Sequence, residues 1–264
     1  MAVNDICIVP THKRDELLFL CLEAVRAQDS KLPIIVFSDR GHHSQDLSYS
    51  CAKFGAELVV RPHGLGYGNS FNVIEGMRYA VSLGVEMVHC IEDDTILHRG
   101  YLDWVRPMLR EGGKEFRFAC ALGRIPDDRL STWYTSPCVS WNSRALMQCL
   151  EKVPLGYFAP TREEMQKIVD AAFPGSRFHF GSAEQDGFFL RCLEFFRWRT
   201  AYPEHCMASH GGFWGYNRPG GTPPKGTFEE RIAQCRKALN DKQFRIDQFG
   251  KRITDSEMER WEPI

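Results

Sequence analysis

The chain has 264 residues, 43% of them apolar, enough to bury a sizeable core, which excludes disorder as an account of the whole. Its 33 basic and 34 acidic residues leave a formal charge of −1, so no global field draws it to nucleic acid or an anionic membrane. Ten scattered cysteines without one CxxC pair exclude the strongest zinc and redox signatures and read as packing thiols of a reducing compartment.

The first ten residues, MAVNDICIVP, lack a basic start, and no later run has the length of a membrane span, so a cytoplasmic protein is expected. Short apolar runs then alternate with longer amphipathic ones: 6–9, 16–27, 34–37, 44–53 and 57–60 read as strand, helix, strand, helix, strand. A glycine-rich turn over 64–68 precedes a helix over 69–83, where Phe71, Ile74, Met77, Ala80 and Val81 recur at helical spacing. A fourth strand, 86–91, runs into Glu92-Asp93-Asp94. Helices are predicted over 100–110, 143–152, 162–172 and 183–196, and strands over 117–122, 137–141 and near 200–202. From Tyr216 the Gly/Pro-rich stretch NRPGGTPPKG and a charged helix over 228–240 read as an appendage or lid.

The triplet Glu92-Asp93-Asp94 ends a strand expected to be buried. Adjacent carboxylates repel, and gathering them where a strand leaves the core suits a divalent cation that offsets the charge. A solvated acidic turn, or the strand-end acids of phosphate-binding α/β proteins, gives the same letters. Pro10-Thr11-His12-Lys13-Arg14 follows the first strand and supplies backbone donors, a hydroxyl and cations suited to a nucleotide. Asp39, after the second strand, is a carboxylate placed to accept the imide N–H of uracil, although an acid at a strand end is ordinary. Parallel strands joined by helices bring all three to one edge of the sheet, where ligands gather.

Together these features resemble the GT-A glycosyltransferases, and the triplet in CIEDDTIL is similar to the EDD form of the DxD motif in the N-acetylglucosaminyltransferases of N-glycan branching. The resemblance implies an α/β fold with a Rossmann-like, mostly parallel sheet flanked by helices. It implies one catalytic domain over 1–215, with a nucleotide-sugar half over 1–97 and an acceptor half over 98–215, and a C-terminal extension over 216–264. Asp94 would bind Mn²⁺ or Mg²⁺ bridging the diphosphate of a nucleotide-sugar donor, a UDP-sugar, while Asp93 and Glu92 hold ribose and Asp39 reads the base. Pro10, Thr11 and Arg14 would flank the nucleotide, and Gly66, Asn69 and Asn72 would line the same cleft.

A catalytic base is expected after the acidic motif, in Gly181-Ser182-Ala183-Glu184-Gln185-Asp186. Ser182 and Gln185 read as a capping box that puts Asp186 in a first helical turn, where the dipole keeps a carboxylate ionised; Glu184 is the substitute. Acids also favour first turns for stability alone. Ser209-His210-Gly211-Gly212 resembles the His-containing loop that completes the metal or diphosphate site in this fold, which makes His210 a second metal ligand, unless it is merely an exposed loop histidine. Trp133, Tyr134 and Trp214 adjoin loop residues and are candidates to stack on a sugar, with Trp141, Trp198 and Tyr216 read as structural.

The reaction expected is an inverting displacement at the anomeric carbon. One rival is a dinucleotide-dependent oxidoreductase, prompted by Gly64-Leu65-Gly66-Tyr67-Gly68, but Asn69 stands where the fingerprint needs glycine. Another is a nucleotide-sugar-binding module without turnover. The acceptor hydroxyl stays open among a glycan, a protein, a small molecule and a hydroxymethylated DNA base. Lys225, Arg231, Arg236, Lys237, Lys242, Arg245, Lys251 and Arg252 would have to face nucleic acid, but interleaved acids mark a solvated face.

Overall fold

The computed structural model describes residues 4–62, 64–111, 116–121, 137–176, 184–203, 206–211 and 222–240. In chain order these form β1 (Asp5–Thr11), α1 (Asp15–Gln28), β2 (Ile34–Ser38), α2 (Gln45–Lys53), β3 (Glu57–Val60), α3 (Ser70–Ser82), β4 (Met87–Ile91) and β5 (Thr95–Leu97). There follow α4 (Tyr101–Glu111), β6 (Phe116–Cys120), β7 (Cys138–Asn142), α5 (Ser143–Leu150), α6 (Arg162–Ala172), α7 (Gln185–Phe196), β8 (Arg199–Ala201), β9 (Ala208–His210) and α8 (Phe228–Asn240).

Seven strands make one sheet in the order β3-β2-β1-β4-β7-β6-β8. Continuous apolar runs such as Ile6–Val9 and Ile34–Phe37 sit within it because a strand covered on both faces has no polar side to show. Four of the six neighbouring pairs are parallel, as the sequence leads one to expect, but β7 runs antiparallel to both β4 and β6. That reversal removes the second parallel nucleotide-binding half on which a dinucleotide-dependent oxidoreductase is built. Helices α2, α5 and α6 start where side chains satisfy free N–H groups: Ser44 accepts from Leu47 N at 2.9 Å, Asn142 from Arg144 N at 3.1 Å and Thr161 from Glu164 N at 3.2 Å.

The chain steps from β1 outward to β2 and β3 and then returns to place β4 on the other side of β1. The crevice at this switch, outside the carboxyl ends of the strands, is where open α/β sheets bind ligands. Strand β1 extends to Thr11, so Pro10 and Thr11 lie within it rather than in the turn expected after it. The backbone permits this: Cys7 and Thr11 direct their peptide groups toward β2, so the nitrogen of Pro10 faces β4 beyond the last pair, Ile8↔Cys90, where no ladder bond is lost.

Helix α8 packs on α1, with Phe228 against Phe19 at 5.8 Å, Arg231 paired to Glu16 and Asp46, and Arg236 paired to Glu23. These ion pairs occupy two of the tail cations read as a solvated face. All ten cysteines are free thiols and nine are buried, which fits packing rather than cross-linking. Among the described residues no helix is long and apolar enough to cross a membrane. Trp141 is fully buried and Trp198 stacks on Phe196, both as structural aromatics. Trp133, Tyr134, Trp214 and Tyr216 lie outside the described residues, as do Lys242, Arg245, Lys251 and Arg252.

Candidate functional site

Register builds the site before any side chain is considered. Continuing the β1–β4 pairing past Ile8↔Cys90 sets Thr11 level with Asp93, and Thr11 Oγ1 donates to Asp93 Oδ2 at 2.7 Å. The His12 N–H donates to the same oxygen at 3.4 Å, and its ring Nδ1 pairs with Asp39 O at 3.3 Å. His12 thus stitches the ends of β1, β2 and β4 into one wall. Arg14 donates to both Asp93 Oδ1 and Asp94 Oδ2.

Asp93 is fully buried, and both of its oxygens are engaged by Thr11, His12 and Arg14. These contacts tie Asp93 to the chain that follows β1. Asp94 is also buried, but its Oδ1 has no hydrogen-bond partner among the described residues. An unpartnered buried carboxylate oxygen is costly and calls for a ligand.

The second component comes from far along the chain. Strands β5 and β9 pair antiparallel, Thr95↔His210, Ile96↔Ser209 and Leu97↔Ala208. His210 is therefore a strand residue, not the loop residue expected, because three-residue strands carry no periodic signature in sequence. The pairing brings His210 Nε2 to 3.1 Å from Asp94 Oδ2 and the Gly211 N–H to 2.6 Å from Asp94 O. Ligand atoms of Glu92, Asp94 and His210 all lie within 4.8 Å of one another. Two carboxylates and an imidazole at that separation are a donor set suited to Mn²⁺ and acceptable to Mg²⁺, and the unpartnered Oδ1 is the observation that the group fits.

Electrostatics follow from this crowding. Burial, and then the charges of Asp94 and Asp186, push the Glu92 carboxyl far above the usual carboxylate range. Burial also works against ionising Asp94, but His210 and Arg14 outweigh it and hold that carboxyl well below the usual range. For His210 burial opposes the charged form, and Asp94 overrides it, raising the imidazole. Among the described residues, Arg14 and His210 are the cationic groups that act on this cluster of acids.

Asp186 lies in the first turn of α7, close enough for its charge to act on Glu92 and on Tyr157. Ser182 of the expected capping box lies outside the described residues. Helix α7 begins at Gln185, with Glu184 as an N-cap that makes no side-chain cap bond. Its start is held instead by Ser70 of α3, whose Oγ accepts from Gln185 N at 3.1 Å and donates to Gln185 Oε1 at 3.0 Å. Glu184 lies beside Gly68, with its carboxyl raised by burial.

Asp39 is buried at the end of β2 and accepts from the Arg40 N–H at 2.9 Å. The Gly64–Gly68 loop covers it: a Cβ on Gly64 would stand 2.7 Å from Arg40 Cγ and 3.0 Å from Asp39 Oδ1. Gly66, at φ +74°, would place a Cβ 2.8 Å from the Phe158 backbone, so this glycine is required by close approach of the chain. Asn69 caps α3 without a side-chain bond, and the buried Asn72 donates to Phe37 O at 2.8 Å, fastening α3 to β2. Sequence reasoning named His12 only as part of the stretch after the first strand, and it missed Ser70 and Tyr157, which belong to no motif.

No protein-family profile matches the chain, nor does any curated protein. Among solved structures, S. aureus TarS 1-349 in complex with UDP-GlcNAc is similar at 11% identity, covering 89% of this chain and 66% of that one, with a TM-score of 0.54. The mannosyltransferase PcManGT from Pyrobaculum calidifontis, in complex with GDP-Man and Mn²⁺, matches at 14% identity over 74% of this chain and 70% of that one, TM-score 0.48. Glucosyl-3-phosphoglycerate synthase from Mycobacterium tuberculosis matches at 13% identity over 55% and 58%, TM-score 0.41. With the switch-point crevice and the mixed seven-stranded sheet, the TarS likeness establishes that this chain has the GT-A fold.

Proposed function

We propose that the protein is a glycosyltransferase that moves a sugar from a nucleoside diphosphate donor, a UDP-sugar, to an acceptor hydroxyl, with a divalent cation in its site. The observation that carries this reading is the convergence of ligand atoms of Glu92, Asp94 and His210 within 4.8 Å of one another, on an Asp94 carboxylate whose Oδ1 has no hydrogen-bond partner among the described residues.

Asp94 and His210 would hold Mn²⁺ or Mg²⁺, with Glu92 as the third donor in reach. A cation bound there supplies electrostatic stabilisation to the departing diphosphate. Asp39 accepts the imide N–H of uracil, and the Gly64–Gly68 loop shields that contact from water. Asp186 takes the proton of the acceptor hydroxyl, whose oxygen bonds to the anomeric carbon as the bond to the diphosphate oxygen breaks, inverting configuration. Glu184, whose carboxyl lies beside Gly68, is the substitute for that role.

Thermal shift and turnover with nucleotide sugars, with and without Mn²⁺, test the reading. UDP-GlcNAc is the first donor to try, because the TarS structure holds it. The expected result is stabilisation that needs Mn²⁺ and slow donor hydrolysis without acceptor; binding without hydrolysis or transfer would identify a binding module instead. Asp94→Ala should abolish both responses. Full activity in the presence of a chelator would overturn the cation's place in the reading.

A further inference from the structure

Arg14 has a geometry that flanking a nucleotide does not require. It is the residue from which α1 starts, and its guanidinium lies between Asp93 and Asp94, reaching Oδ1 of the first and Oδ2 of the second. His210 Nε2 meets that same Asp94 Oδ2 at 3.1 Å, whereas Asp94 Oδ1 receives nothing among the described residues. One oxygen of the carboxylate therefore carries two nitrogen contacts while its twin carries none among the described residues.

The two acids and the arginine also differ in freedom. The side chains of Asp93 and Asp94 are 0% and 3% exposed, that of Arg14 23%. Only two of the five guanidinium donors are used by these contacts, and the planar fork suits a phosphate as well as a carboxylate. A divalent ion held by Asp94 would repel a guanidinium on the same carboxylate.

Resting on the function proposed above, we infer that Arg14 is an internal counter-cation that exchanges partners. In the metal-free protein it neutralises Asp93 and Asp94; when a divalent cation and a diphosphate enter, it releases Asp94 and turns its fork to the diphosphate. The exchange keeps the acids compensated before loading and delivers the arginine's charge to the donor after it. Lysine, a point charge on a flexible stem, cannot bridge two carboxylates in the same way.

The test measures Mn²⁺ alone, and UDP at saturating Mn²⁺, by calorimetric titration on wild type, Arg14→Gln and Arg14→Lys, each checked for folding by circular dichroism. Arg14→Gln should bind Mn²⁺ alone roughly tenfold more tightly than wild type and bind UDP roughly tenfold more weakly, with Arg14→Lys between. Its melting temperature should also rise more on adding Mn²⁺. If Arg14→Gln binds Mn²⁺ no more tightly, or loses no UDP affinity, the exchange is overturned while the metal reading stands. If wild type binds no Mn²⁺ even with UDP, the metal reading fails and the exchange with it. Should Arg14→Gln not fold, Arg14→Lys decides: tighter Mn²⁺ binding than wild type supports the exchange, and equal or weaker binding overturns it.

Discussion

Ser70 of α3 caps α7 through Gln185, accepting its N–H at 3.1 Å and donating to its Oε1 at 3.0 Å, both within the buried interior. A helix start normally finds its cap in the residue before it. Here the cap comes from a separate helix, so the first turn of α7, with Asp186, is positioned by the element that follows the glycine-rich loop.

Ser70→Ala should therefore destabilise the fold by about 1–2 kcal/mol, the usual cost of losing a cap and leaving a buried donor unpaired. Urea unfolding measures it. Turnover should fall more than donor affinity, since Asp186 is displaced and the β1–β4 wall is not. An unfolding midpoint equal to that of wild type would show that the cap contributes nothing.

Asp186→Asn keeps the shape of the side chain and removes its ability to take a proton. If Asp186 is the base, turnover falls by roughly 10²–10⁴-fold while UDP affinity in Mn²⁺ is unchanged. Stopped-time transfer assays alongside equilibrium binding separate the two quantities. Normal turnover in this variant would move the role to Glu184.

Away from the cleft, Asp5 pairs with His89 at 3.0 Å and with Arg106 at 2.8 Å under the centre of the sheet. Burial opposes its ionisation, but hydrogen bonds from His89 and Arg106 prevail and lower its carboxyl. A lowered folded-state value means that its contribution to stability is complete above the unfolded value of about 3.9 and is lost as pH falls through the folded one. Asp5→Asn should cost roughly 2 kcal/mol at pH 7, and the gap to wild type should close on acidification below about pH 4. Denaturant unfolding at several pH values reads this directly; a gap independent of pH would remove Asp5 from the acid response.

Much of the framework was legible in the sequence because its causes are local. The run Met87–Ile91 has to be buried, and the three acids after it have to sit where the strand leaves the core. Helical patterning located Arg162–Ala172 to the residue, as did the charged stretch after the Gly/Pro-rich segment for Phe228–Asn240. The parallel β1-α1-β2-α2-β3 rhythm likewise put Thr11 and Asp39 at one edge, because crossovers of one hand leave strand ends together.

Tertiary structure alone decided what those residues meet. His210 reaches Asp94 through β5 and β9, each three residues long, too short for a pattern to mark them before they pair. Ser70 and Gln185 are 115 residues apart, and β7 reverses direction only in the assembled sheet. Asp93, Asp94 and Glu92 are all simply acids in the sequence; Thr11, His12 and Arg14 engage both oxygens of the first, while one oxygen of the second has no partner among the described residues. Composition and periodicity act over a few residues, whereas the balance of charge in a buried cluster depends on every group that packing brings within a few ångströms.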